Sequence, residues 1–374
     1  MTGDCSAVPS TTQDAARETR RGRRGARSER NPRAATGASM IGYALRRLAV
    51  TLPVLVVISF GTFWAAGEIS SPTAQLTLNP RISPEAKQDY VELLGLDRPL
   101  HVQYGKWLGN FVTGDFGTSL VRNGQDVWPF VERALANTLL LVAAAVSLSL
   151  LIGLAVGVVS AIRRGSLWDY GSVTVSFLGV SIPVFWLGLM LQLFFGLYLA
   201  NWLGVGPPLL PTAGIYSPGQ QGFDLLDRVR HLVLPTLALS LQLVAVYSRY
   251  MRASMLEVMS ADYIRTARSK GLRESRVVVR HGMRSALVPV TTQVAIDIGQ
   301  LVGGLIVTER VFQYPGMGLL FLDALEGGDY TILLPTVMIA AVVVFALNLV
   351  ADLLYGVLDP RVRLGRDRRV ARNV

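Results

Sequence analysis

Cysteine, lysine and histidine are nearly missing from this 374-residue chain: it has one cysteine, Cys5, three lysines and three histidines. A single cysteine excludes an internal disulfide, and with no cysteine cluster there is no thiolate-held zinc or iron–sulfur centre. The histidines, His101, His231 and His281, stand far apart and none belongs to an HExxH pair. The only Gly-Lys, Gly105-Lys106, is followed by Trp107 where a phosphate-cradling loop needs Ser or Thr, so the chain does not hydrolyse nucleotide through that motif. No GxSxG nucleophile elbow occurs either. The reading is of a protein that is not an enzyme and holds no metal or cofactor of its own.

Charge is scarce as well. Only 17% of residues are charged, against roughly 25% in an average globular chain, while 51% are hydrophobic. The apolar residues fall into six blocks almost free of charge, which excludes a soluble globular enzyme and a disordered scaffold. A bilayer core of about 30 Å takes about 20 helical residues. The predicted spans are Leu48–Gly67, Thr138–Ile162, Ser172–Ala200, Leu232–Tyr250, Ala286–Thr308 and Ile332–Tyr355. The fourth is the weakest, with 17 uncharged residues between His231 and Arg249, and the third is over-long. Prolines 53, 183, 235, 289 and 335 lie in or beside spans, where packed membrane helices tolerate them as kinks. The fold class is therefore all-α, a polytopic membrane protein of six helices.

The net charge of +10 comes from arginine and is clustered. With residues 1–47, 163–171, 249–285 and 356–374 on one side, that side holds 27 basic residues and the other holds 9. The positive-inside rule then puts both termini in the cytoplasm, even with the long first loop discounted. Residues 1–39 carry eight arginines, four acids and little aliphatic content, and are expected to be disordered. Such a tail either binds acidic lipid or nucleic acid or is an idle extension ahead of Met40, which opens a complete-looking membrane-protein start. The idle extension is the expectation, with no nucleic-acid partner. Residues 40–363 form the membrane domain and 364–374 a basic tail.

Two local patterns mark the outer loop, residues 68–136. Ser83-Pro84-Glu85 to Gly95 reads as a helix, and a second follows Asp97-Arg98-Pro99, with Val102, Trp107, Leu108 and Phe111 on one face. These helices offer a docking platform or lie at the membrane interface.

The loop between the fourth and fifth spans, about 251–285, is polar: nine basic and three acidic residues lie between Arg249 and Arg284. Asp262, Tyr263, Ile264, Arg265, Thr266, Ala267, Arg268 and Lys270 precede Gly271, which is placed to end a helix. Tyr263, Ile264, Ala267 and Leu272 give it a small apolar stripe. Either this is a solvated loop or a short helix that docks in the groove of a cytoplasmic partner.

Here DYIRTARSKGL followed by RHGMRSALVPV resembles the coupling loop of ABC-transporter permeases, in the form found in the dipeptide/oligopeptide/nickel (binding-protein-dependent) family, first-permease type. The stretches Leu94–Leu120, Thr308–Leu325 and Asn348–Arg363 resemble further segments of that family, so the likeness covers roughly Met40 to Arg363. The sequence departs after the first span, where GEISSPTAQLTLNP stands in place of a Pro-Gly-Asp-Pro-like turn. The resemblance implies a type I ABC importer permease in a bacterial inner membrane. It also implies a second, homologous permease subunit, two ATPase subunits that bind ATP and magnesium, an extracytoplasmic solute-binding protein and a peptide substrate. Nickel or another small solute is the alternative cargo, and an ion-coupled secondary carrier is the alternative class.

Within the membrane, Gln293, Asp297 and Gln300 share one helix face. An ionisable residue there needs a cavity or a partner, so this face lines the solute path or packs against protein. Asp352 near the end of the sixth span reads as a structural or gate group. Gly153/Gly157 and Gly299/Gly303 are spaced to let helices approach closely.

Overall fold

Inside a bilayer no water satisfies the backbone, so a chain with six apolar blocks must cross as helices or as a closed barrel. The computed structural model describes residues 32–69, 91, 97–119, 121–206, 208–220 and 222–358. All six blocks are helical. They are α1 (Pro32–Ile69), α3 (Trp128–Ile162), α5 (Val184–Leu203), α6 (Leu225–Met259), α8 (Glu274–Gly304) and α11 (Tyr330–Leu358), each long and apolar enough to cross a membrane. Between them lie α2 (Leu100–Thr113), α4 (Leu167–Ser181), α7 (Asp262–Ser269), α9 (Ile306–Val311) and α10 (Met317–Glu326). A two-stranded hairpin, β1 (Thr118–Ser119) with β2 (Gln125–Asp126), precedes α3.

The chain divides into two units, Met1–Leu48 and Ala49–Val374. In the first, α1 begins at Pro32, inside the stretch expected to be unstructured; residues 1–31 lie outside the described residues. So do the first outer-loop helix predicted from Ser83 and the basic tail 364–374.

In the second unit, α6 is the helix that others share. It packs on α3, α4, α5 and α8, and its Leu234, Tyr247, Met251 and Met255 are fully buried. The weakest predicted span is thus the best enclosed, because its polar ends run on as helix beyond the apolar core. At 35 residues it is roughly 50 Å long, well beyond the hydrocarbon layer. Glycine sets the α3–α6 distance. A Cβ at Gly157 would lie 2.6 Å from the Ser248 carbonyl oxygen and 2.7 Å from Met251 Cβ, so only glycine lets the two backbones come this close. The second glycine pair, Gly299 and Gly303, meets Asn348 and Val344 of α11 in the same chain.

The third predicted span is corrected. In place of one helix over Ser172–Ala200, α4 ends at Ser181 and α5 begins at Val184. Pro183 removes a backbone donor and forces Ile182 into an extended conformation (φ −82°, ψ 124°), which ends the helix. The Ile182 carbonyl left over at the break accepts a 2.8 Å hydrogen bond from Gln242 Nε2 of α6. Prolines 53, 235, 289 and 335 stay inside their helices.

Ahead of the hairpin, α2 forms from Leu100 with Pro99 at its cap. Part of its apolar face rests on this chain: Tyr104 and Trp107 pack on Phe63, with ring centroids 5.6 Å apart in both pairs, and the Tyr104 hydroxyl lies 2.7 Å from Ser59 Oγ. Glu309, fully buried, caps α10. Its carboxylate accepts from Thr138 Oγ1 (2.6 Å) and from the Leu319 backbone N–H (2.9 Å), while Thr138 Oγ1 accepts from the N–H of Met317. Burial pushes this carboxyl above the ordinary range, and those hydrogen bonds oppose the shift.

Candidate functional site

The polar loop between α6 and α8 folds into a short, anchored helix. Ala261 is extended (φ −71°, ψ 149°), α7 runs for eight residues, and Gly271 follows in the left-handed region at φ +73°. The Gly271 N–H donates to the Arg268 carbonyl at 2.9 Å, the closure a left-handed residue permits after a helix. A side chain at this position is strained whatever space surrounds it.

One face of α7 is inside. Ile264 is fully buried and Ala267 nearly so, packed on Val277, Val258, Met259 and Leu272 at the adjoining ends of α6 and α8. Val277–Met283 forms a π-helical turn. Within it Gly282 lies under α6, where an added Cβ would meet Met259 Sδ at 3.2 Å. Tyr263 corrects the predicted stripe, because it is 47% exposed and stands on the outer face. Ile264 and Ala267 are covered by the ends of α6 and α8, and the side of α7 that carries Tyr263 is left outside that contact.

The outer face is cationic. Asp262, Arg265, Thr266, Arg268 and Lys270 are all exposed. Asp262 and Arg265 pair loosely at 3.5 Å, and the Thr266 hydroxyl donates to the Asp262 carbonyl. Arg268 reaches across to Glu274 with two hydrogen bonds of 2.7 and 3.1 Å, which tie α7 to the start of α8 and hold the guanidinium pKa above its usual value. Both groups are solvated, so the pair fixes orientation more than it adds stability. The result is a helix bolted to two membrane spans by two apolar side chains, with a tyrosine and basic side chains outward.

On α8, Gln293 Nε2 donates to Asp297 Oδ1 at 2.8 Å. The other carboxylate oxygen, Oδ2, is shielded from solvent, as is the hydroxyl of Tyr247 on α6, which faces the same carboxylate. Gln300, one turn further along α8, is exposed. Tyr247 joins this group as the member that sequence spacing could not supply. The side chain of Asp352 lies outside the described residues.

A third polar cluster sits at the α7 end of α3 and α6. Asp169 of α4 is buried and takes two hydrogen bonds from Arg252, 2.6 and 2.8 Å long, and others from Ser160 and the Gly165 N–H. Arg252 first, then Ser160 and the backbone donor, hold its carboxyl far below the usual carboxylate range. The lone acid in Arg163–Asp169 was the available signal.

Residues 153–364 match the family described as binding-protein-dependent transport system inner membrane component, and residues 40–148 match its amino-terminal companion. The oligopeptide transport system permease protein AppB of Bacillus subtilis is 41% identical over 323 residues, covering 86% of this chain and 99% of that one. The dipeptide transport system permease protein DppB of Alkalihalophilus pseudofirmus is 38% identical, covering 87% and 100%. A chain of the inward-facing methionine ABC transporter MetNI is 17% identical with a TM-score of 0.47, over 62% of this chain and 96% of that chain.

Proposed function

The chain belongs to the inner-membrane components of binding-protein-dependent transport systems, and from that premise we propose that it imports di- and oligopeptides as one permease of an ATP-driven complex. Its partners in this reading are a second, related permease, two ATPase subunits and an extracytoplasmic binding protein that delivers the peptide. ATP and magnesium are handled by the ATPases. Both termini and α7 lie in the cytoplasm, by the arginine distribution. The cargo rests on relatives that are named oligopeptide and dipeptide permeases and that match from end to end.

The observation that carries the mechanism is the anchoring of α7. A helix held by Ile264 and Ala267 against Val258, Met259 and Val277 at the ends of α6 and α8 transmits a push from outside into both spans. Its outer face of Tyr263, Arg265, Thr266 and Lys270 enters a cleft in an ATPase subunit. Closure of the ATP-bound pair of ATPases draws the α7 helices of the two permeases together, which opens the far side to the binding protein. Gln293 and Asp297 line the path, where the carboxylate meets the peptide ammonium as it passes. Hydrolysis reverses the movement.

The test is uptake of labelled dipeptides, longer peptides and nickel by cells with and without this gene. Loss of peptide uptake on deletion is the expected result and fixes the length class. Loss of nickel uptake alone keeps the architecture and overturns the cargo, and uptake that survives ATP depletion while an ion gradient persists overturns the mechanism.

A further inference from the structure

At the amino-terminal end of α6, opposite the end that carries α7, lies a cavity of about 590 Å³. Arg122, Arg133 and Arg228 all line it, and they come from three different segments: the hairpin, α3 and α6. Its only lining carboxylate, Asp323 of α10, is engaged by Arg310 at 3.6 Å. Among the described residues none of the three arginines has an acidic partner.

Two of the three are nevertheless held. Arg228 donates to Asn137 Oδ1 at 2.6 Å and to the Tyr216 hydroxyl at 3.1 Å, and Asn137 is itself fixed by donating to the Pro315 carbonyl at 2.8 Å. Arg122 stacks over Phe130, its guanidinium carbon 4.5 Å from the ring centroid. These partners are neutral, so they orient positive charge without cancelling it. Leu319, Leu320 and Ile215 complete the wall. An apolar wall lowers the local dielectric and strengthens any anion's attraction to the guanidiniums. Guanidinium forks match the two oxygens of a carboxylate. The volume falls within the roughly 300–1,000 Å³ of sites that enclose small molecules, whereas a protein-docking patch would be flatter.

We infer that this cavity receives the carboxylate end of the transported peptide at the outer mouth, with its last side chain against the apolar wall. The inference rests on the peptide-import reading above. It places recognition of one peptide terminus in the permease itself, at the far end of α6 from α7.

The experiment uses the complete transporter in proteoliposomes, fed with binding protein saturated with a tripeptide or with the same tripeptide as its C-terminal amide. Uptake of each is compared between the wild type, Arg133→Gln and the double variant Arg122→Gln/Arg133→Gln. Discrimination by the binding protein is common to all of them and cancels in the ratio. Loss of one or two charge-assisted hydrogen bonds should lower the acid-to-amide uptake ratio about tenfold in the double variant. Among the described residues the exposed Arg133 makes no hydrogen bond, so its single variant keeps the fold's described contacts and should move the ratio the same way by a smaller factor. Equal loss of acid and amide uptake in that single variant overturns the inference and leaves the peptide-import reading intact. Absence of uptake of either peptide by the wild type overturns both.

Discussion

Asp169 and Arg252 form a two-pronged ion pair, with bonds of 2.6 and 2.8 Å, that ties α4 to the far end of α6. Because α4 is cut from α5 at Pro183, its register with α6 rests on such ties: this pair, the Ser176–Ser248 hydroxyl contact and the Gln242 bond to the Ile182 carbonyl, together with packing.

Removing either partner strands the other. Asp169→Ala and Arg252→Ala should each cost about 2 kcal/mol, less than the fully buried limit because Arg252 is partly solvated. The double variant should cost little more than either single one. Thermal unfolding of the purified complex measures the cycle, and strictly additive losses would count against a direct coupling.

The same pair has a defined pH response. Asp169 has a depressed carboxyl, so its stabilisation is fully present above the unfolded carboxylate value of about 4. It is lost only as pH falls through the much lower folded value. The melting-temperature gap between wild type and Asp169→Asn should therefore stay constant from pH 8 to pH 5; a gap that closes across that range would disprove the assignment.

Gly157 and Gly303 should behave oppositely despite similar spacing. Gly157→Ala drives a methyl into the α6 backbone and should destabilise by about 2 kcal/mol or more. Gly303→Ala meets only Val344 Cγ2, at an ordinary 3.6 Å, and should be near neutral. Yield and melting temperature of the two variants give the comparison.

The two faces of α7 should separate structure from coupling. Ile264→Ala removes a fully buried side chain and should loosen the loop by about 2–3 kcal/mol, read as faster hydrogen exchange over α7. Charge reversal at Arg265 and Lys270 leaves the packing alone and should abolish uptake while the protein still inserts. Gly271→Pro should do both, since proline cannot adopt φ +73°. Normal ATP-driven uptake in the charge-reversed protein would rule α7 out as the docking helix.

Asp297→Asn should reduce uptake per assembled complex more than it reduces assembly, and Tyr247→Phe should do so more weakly. Purified complex yield set against uptake decides this; a loss confined to assembly would make the pair a packing contact.

The six spans were legible because length and apolarity suffice for a membrane helix, and Gly271 because only a left-handed closure needs glycine there. Tyr263 was misplaced because a loose apolar stripe does not say which member the neighbouring spans will cover. The break at Pro183 escaped because four other prolines in similar surroundings stay within helices. What differs is Gln242, 60 residues away, whose side-chain amide donates a hydrogen bond to the stray carbonyl. Glu309 and the three cavity arginines were similarly invisible, since each draws its meaning from segments far along the chain.

The length of α6 has a mechanical consequence. Arg228 lies at one end of it and α7 is attached at the other, so a tilt of the helix as a rigid rod would move both. A rotation of about 5° about its midpoint would carry each tip about 2 Å in opposite directions, given roughly 1.5 Å of rise per residue over its length. A small displacement of α7 is then felt at the arginine-lined mouth as an equal and opposite sweep, with no relay of side chains between them.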